Sequence, residues 1–288
     1  MSDHPAPSIG RRAIQRLAPL RALVKSRPGQ RVIQAIRGAG VVRESARFAA
    51  LELRGRGRIE RYELRGADAR VVLRHGTRDV ALLNEIFGGT GGLVSCYEPP
   101  PEVARMLSAR TAPRIIDLGA NIGLFGLFAL HRWPTATLMA YEPDPANARV
   151  LEQTIASNGL ETCWTVVPAA VSNAHGVMSF VSGAFSESRI AGAKERGTID
   201  VRTVDLFDTD TDVDLLKMDI EGGEWAILED PRLGSIAADA IVLEWHTRNG
   251  PGPDGGLVAT RLLCEAGYTR TWSPEDDASG DGVVWAWR

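Results

Sequence analysis

Cysteine is scarce in this 288-residue chain. The three present, Cys96, Cys163 and Cys264, lie far apart and match neither a disulfide framework nor a zinc-ligand spacing. A cysteine-stapled secreted scaffold is thereby excluded, and reduced structural thiols are expected. Long apolar runs are missing too: none approaches the roughly 18–20 residues that cross a bilayer, and no secretory leader pattern opens the chain. A soluble, cytoplasmic protein is the expectation. Net charge is only −3, and with it no nucleic-acid partner is expected.

Two cofactor signatures are also lacking. The dinucleotide fingerprint G-x-G-x-x-G is replaced by Gly119, Gly123 and Gly126. A short-chain dehydrogenase needs Lys four residues after a Tyr. Tyr62, Tyr97, Tyr141 and Tyr268 have Gly66, Pro101, Pro145 and Trp272 there. A nicotinamide enzyme is set aside.

The rest is an ordinary globular composition, 44% hydrophobic and 24% charged. At this length one large domain or two small ones would hide about 75% of the unfolded surface. Charge is uneven. Residues 1–58 hold thirteen Lys or Arg against Asp3, Glu44 and Glu52, leaving a net −13 on the other 230 residues. Such an arm suits peripheral contact with a membrane or another anionic partner, or is a plain solvated segment. Pro5, Pro7, Pro28 and Gly29 break it, leaving amphipathic helices predicted over 13–25 and 30–36.

Three regions follow: a basic extension 1–58, a cap 59–110, and a catalytic domain 111–288. In the cap, strands are predicted over 59–64 and 69–73 and helices over 77–87 and 102–108. After Pro113 strands and helices alternate. The strands are expected at 114–118, 137–141, 164–169, 213–218, 240–244, 268–272 and 283–287, and the helices at 122–133, 145–158, 223–228 and 256–266. Continuous apolar strands alternating with helices argue for a doubly wound, mostly parallel α/β sheet. The last two strands have only a Pro/Asp/Gly-rich link between them, so the final one should close the sheet antiparallel.

Open α/β sheets bind ligands at the carboxyl ends of their strands. There the first strand offers Asp117, Gly119, Asn121 and Gly123, and the second Glu142 and Asp144. The third offers the small Ala169 and Ala170, the fourth Asp219, Glu221 and Glu224, and the fifth Glu244 and His246. A glycine turn opening a helix brings backbone N–H groups close to a ligand. An acid beside that turn repels phosphate and suits a cationic ligand such as S-adenosylmethionine.

Four blocks, Asp117–Gly123, Tyr141–Pro145 with Asn147, Leu216–Glu224 and Leu243–His246, closely resemble the signature blocks of the FkbM family of S-adenosylmethionine-dependent methyltransferases. The resemblance spans about residues 75–247; residues 1–70 match nothing recognisable. It implies a class I methyltransferase Rossmann-like sheet behind an N-terminal helical and β extension. It further implies that Asp117 and Gly119 line the methionine end of the cofactor and that Asn121 and Gly123 shape the turn. Glu142 would hold the ribose, and Asp144, Ala169 and Ala170 would border the adenine. Family members mostly methylate oxygen, often a sugar hydroxyl on a natural product or glycolipid. Nitrogen or carbon acceptors on a peptide or amino-acid scaffold, and a silent cofactor-fold binding module, are the alternatives.

A hydroxyl acceptor must lose a proton. Glu221, His246 and Asp219 are the candidate catalytic groups, acting as general base; Mg²⁺ held by Asp219 and Glu244 is the other route. Each has a bland counterpart: Asp219 as a helix cap, Glu221 and Glu224 as first-turn acids favoured by the helix dipole, His246 as a core histidine. Trp225 and Trp245 read as packing. His4, His75, His131 and His175 read as surface residues without acidic neighbours. The Gly- and Ser-rich stretch 182–197, with Arg189, Lys194 and Arg196, is an acceptor-closing loop or a solvated one.

Overall fold

A computed structural model describes residues 27–55, 57–88, 97–181, 189–190, 198–274 and 281–288. The N-terminal part consists of α1 (Arg27–Val41), α2 (Ser45–Arg54), a hairpin of β1 (Ile59–Glu63) and β2 (Arg70–Arg74), then α3 (Asp79–Phe87) and α4 (Pro101–Ser108). The α/β part begins with β3 (Arg114–Leu118), α5 (Leu124–Arg132), β4 (Thr137–Tyr141), α6 (Pro145–Asn158) and β5 (Trp164–Val167). Four strands follow: β6 (Ala170–Ser172), β7 (Gly176–Val181), β8 (Arg189–Ile190) and β9 (Thr198–Asp205). The chain ends with β10 (Leu215–Met218), α7 (Glu224–Leu228), β11 (Ala240–Trp245), α8 (Gly255–Glu265), β12 (Arg270–Trp272) and β13 (Gly282–Trp287).

The main sheet has seven strands in the order β12-β13-β11-β10-β3-β4-β5. Its strand pairs are parallel except those of β13, which runs antiparallel to both β11 and β12. The expected antiparallel closure is present. Successive residues feed opposite faces. Ile115, Leu138, Leu215, Val242 and Trp285 join one buried cluster; Ile116, Leu118, Leu216, Leu243 and Val284 join the other. Burial on both faces is why these strands read as unbroken apolar runs. The chain winds outward from β3 through β4 to β5, then crosses back to β10 on the other side of β3. The crevice between β3 and β10 is therefore the switch point at which such sheets bind ligands.

Two regions depart from the sequence reading. The strand expected over 164–169 stops at Val167, and Ala170 opens a second, four-stranded sheet in the order β6-β9-β7-β8. Its strands carry polar and exposed residues, Val177 being 72% exposed, so no apolar run betrays them. The other is the N-terminal part. The helix expected over 30–36 runs from Arg27 to Val41, and α2 was not foreseen, because its Arg- and Ala-rich stretch hides only Phe48 and Glu52. The helix expected over 13–25 lies outside the described residues.

No seam falls at residue 58. Phe48 of α2 meets the Tyr62 ring edge-on at 5.1 Å, and Val41, Phe48 and Tyr62 share one buried cluster with Phe128 and Leu138. His75, expected at the surface, is fully buried: its ring nitrogens lie 2.6 Å from the Tyr62 hydroxyl and 3.0 Å from Glu52 Oε2. Its partners sit 13 and 23 residues away, too far for local sequence to announce. His175 is exposed but pairs with Asp208 at 2.9 Å. Cys163 and Cys264 are free thiols; Cys96 lies outside the described residues.

Candidate active site

Two strand-to-helix turns meet at the switch point. The first leaves β3 through Gly119 (φ 78°), Asn121 (φ 51°) and Gly123 (φ 87°), and Gly123 caps α5. Gly119 is obligatory: a Cβ there would lie 1.8 Å from the Asp219 carbonyl oxygen, so the two turns touch backbone to backbone. The second leaves β10 through Asp219, Glu221 (φ 55°) and Gly222 (φ 94°). Glu221 is a non-glycine residue held in the left-handed region, a conformation that costs energy and concentrates at functional sites. What holds it is Glu224. Its fully buried carboxylate accepts the Ile220 and Gly222 N–H groups at 2.9 Å each, and His246 Nδ1 lies 3.1 Å away.

A pocket of about 540 Å³ opens between the turns, a size typical of small-molecule sites. One wall is apolar: Leu82 and Ile86 of α3, Ile122, Leu124 and Phe125 of the first turn and α5, and Val283 of β13. The polar lining is Tyr97, Lys217, Asp219, Glu221, Glu244, His246, Arg78, Glu85 and Asp281, and Phe125 packs against it with its ring 5.3 Å from that of Tyr97. Parallel register sets Lys217 beside Asp117, and the ammonium lies 3.1 Å from Asp117 Oδ1, 3.4 Å from Asp219 Oδ2 and 2.9 Å from the Gly119 carbonyl it bonds. Burial alone would lower the Lys217 pKa, but the Asp117 and Asp219 charges outweigh it and raise it. The lysine stays charged and ties both turns together.

The remaining acids crowd each other. Glu244 is pushed up to about 7 by burial and then by the Asp219 charge. Glu221 is also pushed up to about 7, by burial first and Asp219 second, with His246 and Arg78 pulling it down. The Tyr97 hydroxyl lies 2.5 Å from Glu244 Oε2 and 3.1 Å from Asp219 Oδ2, bridging the two carboxylates. Burial would depress His246, yet its Glu224 bond and the Asp219, Glu224 and Glu221 charges lift it to about 10. It is therefore an imidazolium at neutral pH, a counter-charge unable to accept a proton.

The sequence-predicted residues separate into two groups. Gly119, Asn121, Asp219, Glu221, Glu244 and His246 all line the pocket. Asp117 does not: it is fully buried behind the turn, in its ion pair with Lys217. Both its oxygens nevertheless lack a hydrogen-bond partner, as does Asn121 Oδ1, since the ammonium sits beside the carboxylate out of alignment. Glu142 is buried and turned inward. Oε2 accepts the Asn121 N–H at 2.8 Å, and Oε1 accepts the Asp144 N–H at 2.8 Å and Asn147 Nδ2 at 3.3 Å. That fills three of about four acceptor positions of a carboxylate. Asp144 is buried and caps α6 through the Ala146 N–H, and Ala169 and Ala170 are buried beside the start of the second sheet. Trp225 and Trp245 are buried packing residues. Asp219 caps no helix; Glu224 does the tying of that turn. Lys194 and Arg196 lie outside the described residues, as does the side chain of Arg189. The sequence reading missed the roles of Tyr97 and Lys217; only the K-x-D spacing of Lys217 and Asp219 hinted at the latter.

The two acids taken as metal ligands share a hydroxyl donor, and one of them also contacts an ammonium. That is a hydrogen-bonded arrangement rather than the open oxygen cage a hard cation needs. Asp219, Glu224 and His246 bring ligand atoms within 4.8 Å of one another, but Glu224 is already saturated by backbone N–H groups and His246.

The sequence model of the FkbM methyltransferase domain matches residues 117–269, more than half of the chain, including both turns. The chain belongs to that family. The FkbM chain is 26% identical over 173 residues to methyltransferase sdnD of Sordaria araneosa, an alignment covering 46% of this chain and 67% of that protein. Among solved structures it is similar to an FkbM methyltransferase from Methylobacillus flagellatus (16% identity, TM-score 0.45), covering 62% of this chain and 44% of the other. It is also similar to an S-adenosylmethionine-dependent O-methyltransferase from Thermotoga maritima (16% identity, TM-score 0.42), covering 81% of this chain and 77% of the other. The chain thus spans less than half the length of the first of these structures.

As an FkbM methyltransferase domain it uses S-adenosylmethionine, and the first turn fits that cofactor. Gly119 admits no Cβ, Asn121 Oδ1 has no protein partner, and Gly119 to Asn121 form the pocket edge nearest Asp219. When bound, the cofactor supplies an electrophilic methyl group on a sulfonium. Asn121 Oδ1 and the Asp219 carboxylate beside this edge suit its cationic methionine end.

Proposed function

We propose that the FkbM chain methylates a hydroxyl, most simply one on the sugar of a natural product or glycolipid. The observation that carries this reading is Glu221. Its carboxylate lines the pocket beside Asp219 and Glu244, it is strained into a left-handed conformation, and its pKa is matched to neutral pH. A general base works best with a pKa near the operating pH. Glu221 takes the acceptor's proton, while Asp219, held by Lys217 and Tyr97, receives a hydrogen bond from the acceptor and aims its oxygen. Aligning acceptor and donor is worth up to roughly 7–11 kcal/mol in ideal systems. His246 stays protonated and balances the charge left on the cluster.

The pocket-lining carboxylates Asp219, Glu221 and Glu244 offer hydrogen-bond acceptors that suit a hydroxyl. Apolar Leu82, Ile86 and Phe125 in the same lining suit an acceptor with a greasy body and a hydroxylated end. The bridging Tyr97 hydroxyl favours the base route over a Mg²⁺ route. The test is methyl transfer from isotopically labelled S-adenosylmethionine to a panel of glycosides and glycolipids, followed by mass spectrometry. A labelled methyl ether on a sugar oxygen is the expected product; a label found only on amine acceptors would overturn the reading.

A further inference from the structure

The N-terminal helices carry a face that no other described element covers. On α1, Val32 and Ile36 are 44% and 67% exposed. Four residues apart, they stand on the same side of the helix, with the partly buried Ile33 beside them. Ala35, Gly38 and Val41, on the other side, are buried. The helix contains Arg27, Arg31 and Arg37 and no acid. Arg37, four residues on from Ile33 and so beside it, is exposed and has no carboxylate partner among the described residues, whereas Arg31 stands one turn before the buried Ala35 on the inner side. The end of α2 adjoins the start of α1, because Gly55 lies against the Arg31 guanidinium, and it adds exposed Leu53 and Arg54. Aliphatic side chains flanked by arginine alone form an interfacial pattern.

Charge selects the occupant. The residues before α1 add Arg11, Arg12, Arg16, Arg21 and Lys25 against Asp3 alone. Neither that segment nor a second copy of the same face brings the negative charge the arginines call for. RNA would bring it, but α1 has no aromatic side chain on which bases stack, and aliphatic residues gain nothing from phosphate. We infer that this face docks on an anionic phospholipid surface, with Val32 and Ile36 entering the acyl boundary and Arg37 meeting headgroups. No helix among the described residues is long and apolar enough to cross a membrane, so the contact would be peripheral. α3 connects the face to the pocket: Asn84 donates to the Gln34 carbonyl of α1 at 3.2 Å, and Leu82 and Ile86 line the pocket. Docking would bring the site close to a lipid-borne acceptor, although the inference stands on the surface alone and not on the acceptor.

Flotation of the full chain with phosphatidylcholine vesicles, with and without phosphatidylserine, tests it. Binding should require phosphatidylserine and weaken with salt. The double variant Val32→Ser/Ile36→Ser should lower the partition coefficient about tenfold, and Arg37→Ala about fivefold. All three side chains are exposed, so folding should be retained, which circular dichroism verifies. Equal partition on pure phosphatidylcholine, or unchanged partition in every variant, would overturn the inference. So would tighter retention on single-stranded RNA than on phosphatidylserine vesicles, or a dimer that Val32→Ser/Ile36→Ser disrupts.

Discussion

The two turns at the switch point have related sequences, Asp117–Gly123 and Asp219–Glu224, and similar backbones, each with one non-glycine residue in the left-handed region. They do opposite things with their acids. In and around the first turn, Asp117 is buried against Lys217, and Glu142 accepts two backbone N–H groups and an amide. In the second, Glu224 plays that supporting part, which leaves Asp219 and Glu221 to line the pocket. Carboxylates with internal partners build the turn, and carboxylates left to compete with one another face the ligand. An acid's place in a motif therefore does not reveal whether it touches substrate; its burial and its partners, an ammonium for Asp117 and N–H groups for Glu142 and Glu224, do.

Replacing an acid of each kind should break or sharpen this contrast. Glu221→Gln should lower turnover by about 10²–10⁴ while S-adenosylhomocysteine affinity, read by calorimetry, stays close to wild type. Full turnover would remove Glu221 from the chemistry. Lys217→Met, which strands a buried Asp117 charge, should instead cost roughly 3–5 kcal/mol of stability, measured by denaturant unfolding. A stability loss under about 1 kcal/mol would mean the buried pair is not what joins the turns.

Much of the contrast was legible in sequence and some was not. Continuous apolar strands announced the sheet, its switch point and its antiparallel last strand, and three of the pocket-lining acids, Asp219, Glu221 and Glu244, stood at strand ends. Asp117 and Glu142 could not be recognised as inward-facing. Their partners, Lys217 and the Asn121 and Asp144 N–H groups, come from other segments or from backbone that only the folded turn aims. The second sheet and the buried His75–Glu52 pair were hidden for the same reason: their partners are distant, and their own residues show no period.

Smaller effects sharpen the account further. Tyr97→Phe removes a hydroxyl shared by two carboxylates and should cut turnover about tenfold, the order of one hydrogen bond to a charged group, without changing S-adenosylhomocysteine affinity. The rate should climb with pH through about 7 as Glu221 loses its proton, with Glu244 titrating in the same range, so the midpoint belongs to the cluster. A base must be ionised to act, hence the rise; a rate that falls across that window would require a protonated Glu221. His246→Gln should move the midpoint upward by removing a positive neighbour. Chelation should change the rate least of all, and a loss restored by Mg²⁺ would revive the metal route at Asp219 and Glu244.

A crystal structure with S-adenosylhomocysteine tests the division of labour between the turns most directly. The thioether sulfur should lie along Gly119–Asn121, with the Glu221 carboxylate facing the open acceptor side and Asp117 still paired with Lys217. A ligand seated away from this edge, or Glu221 gripping the cofactor while Asp117 swings into the pocket, would contradict it.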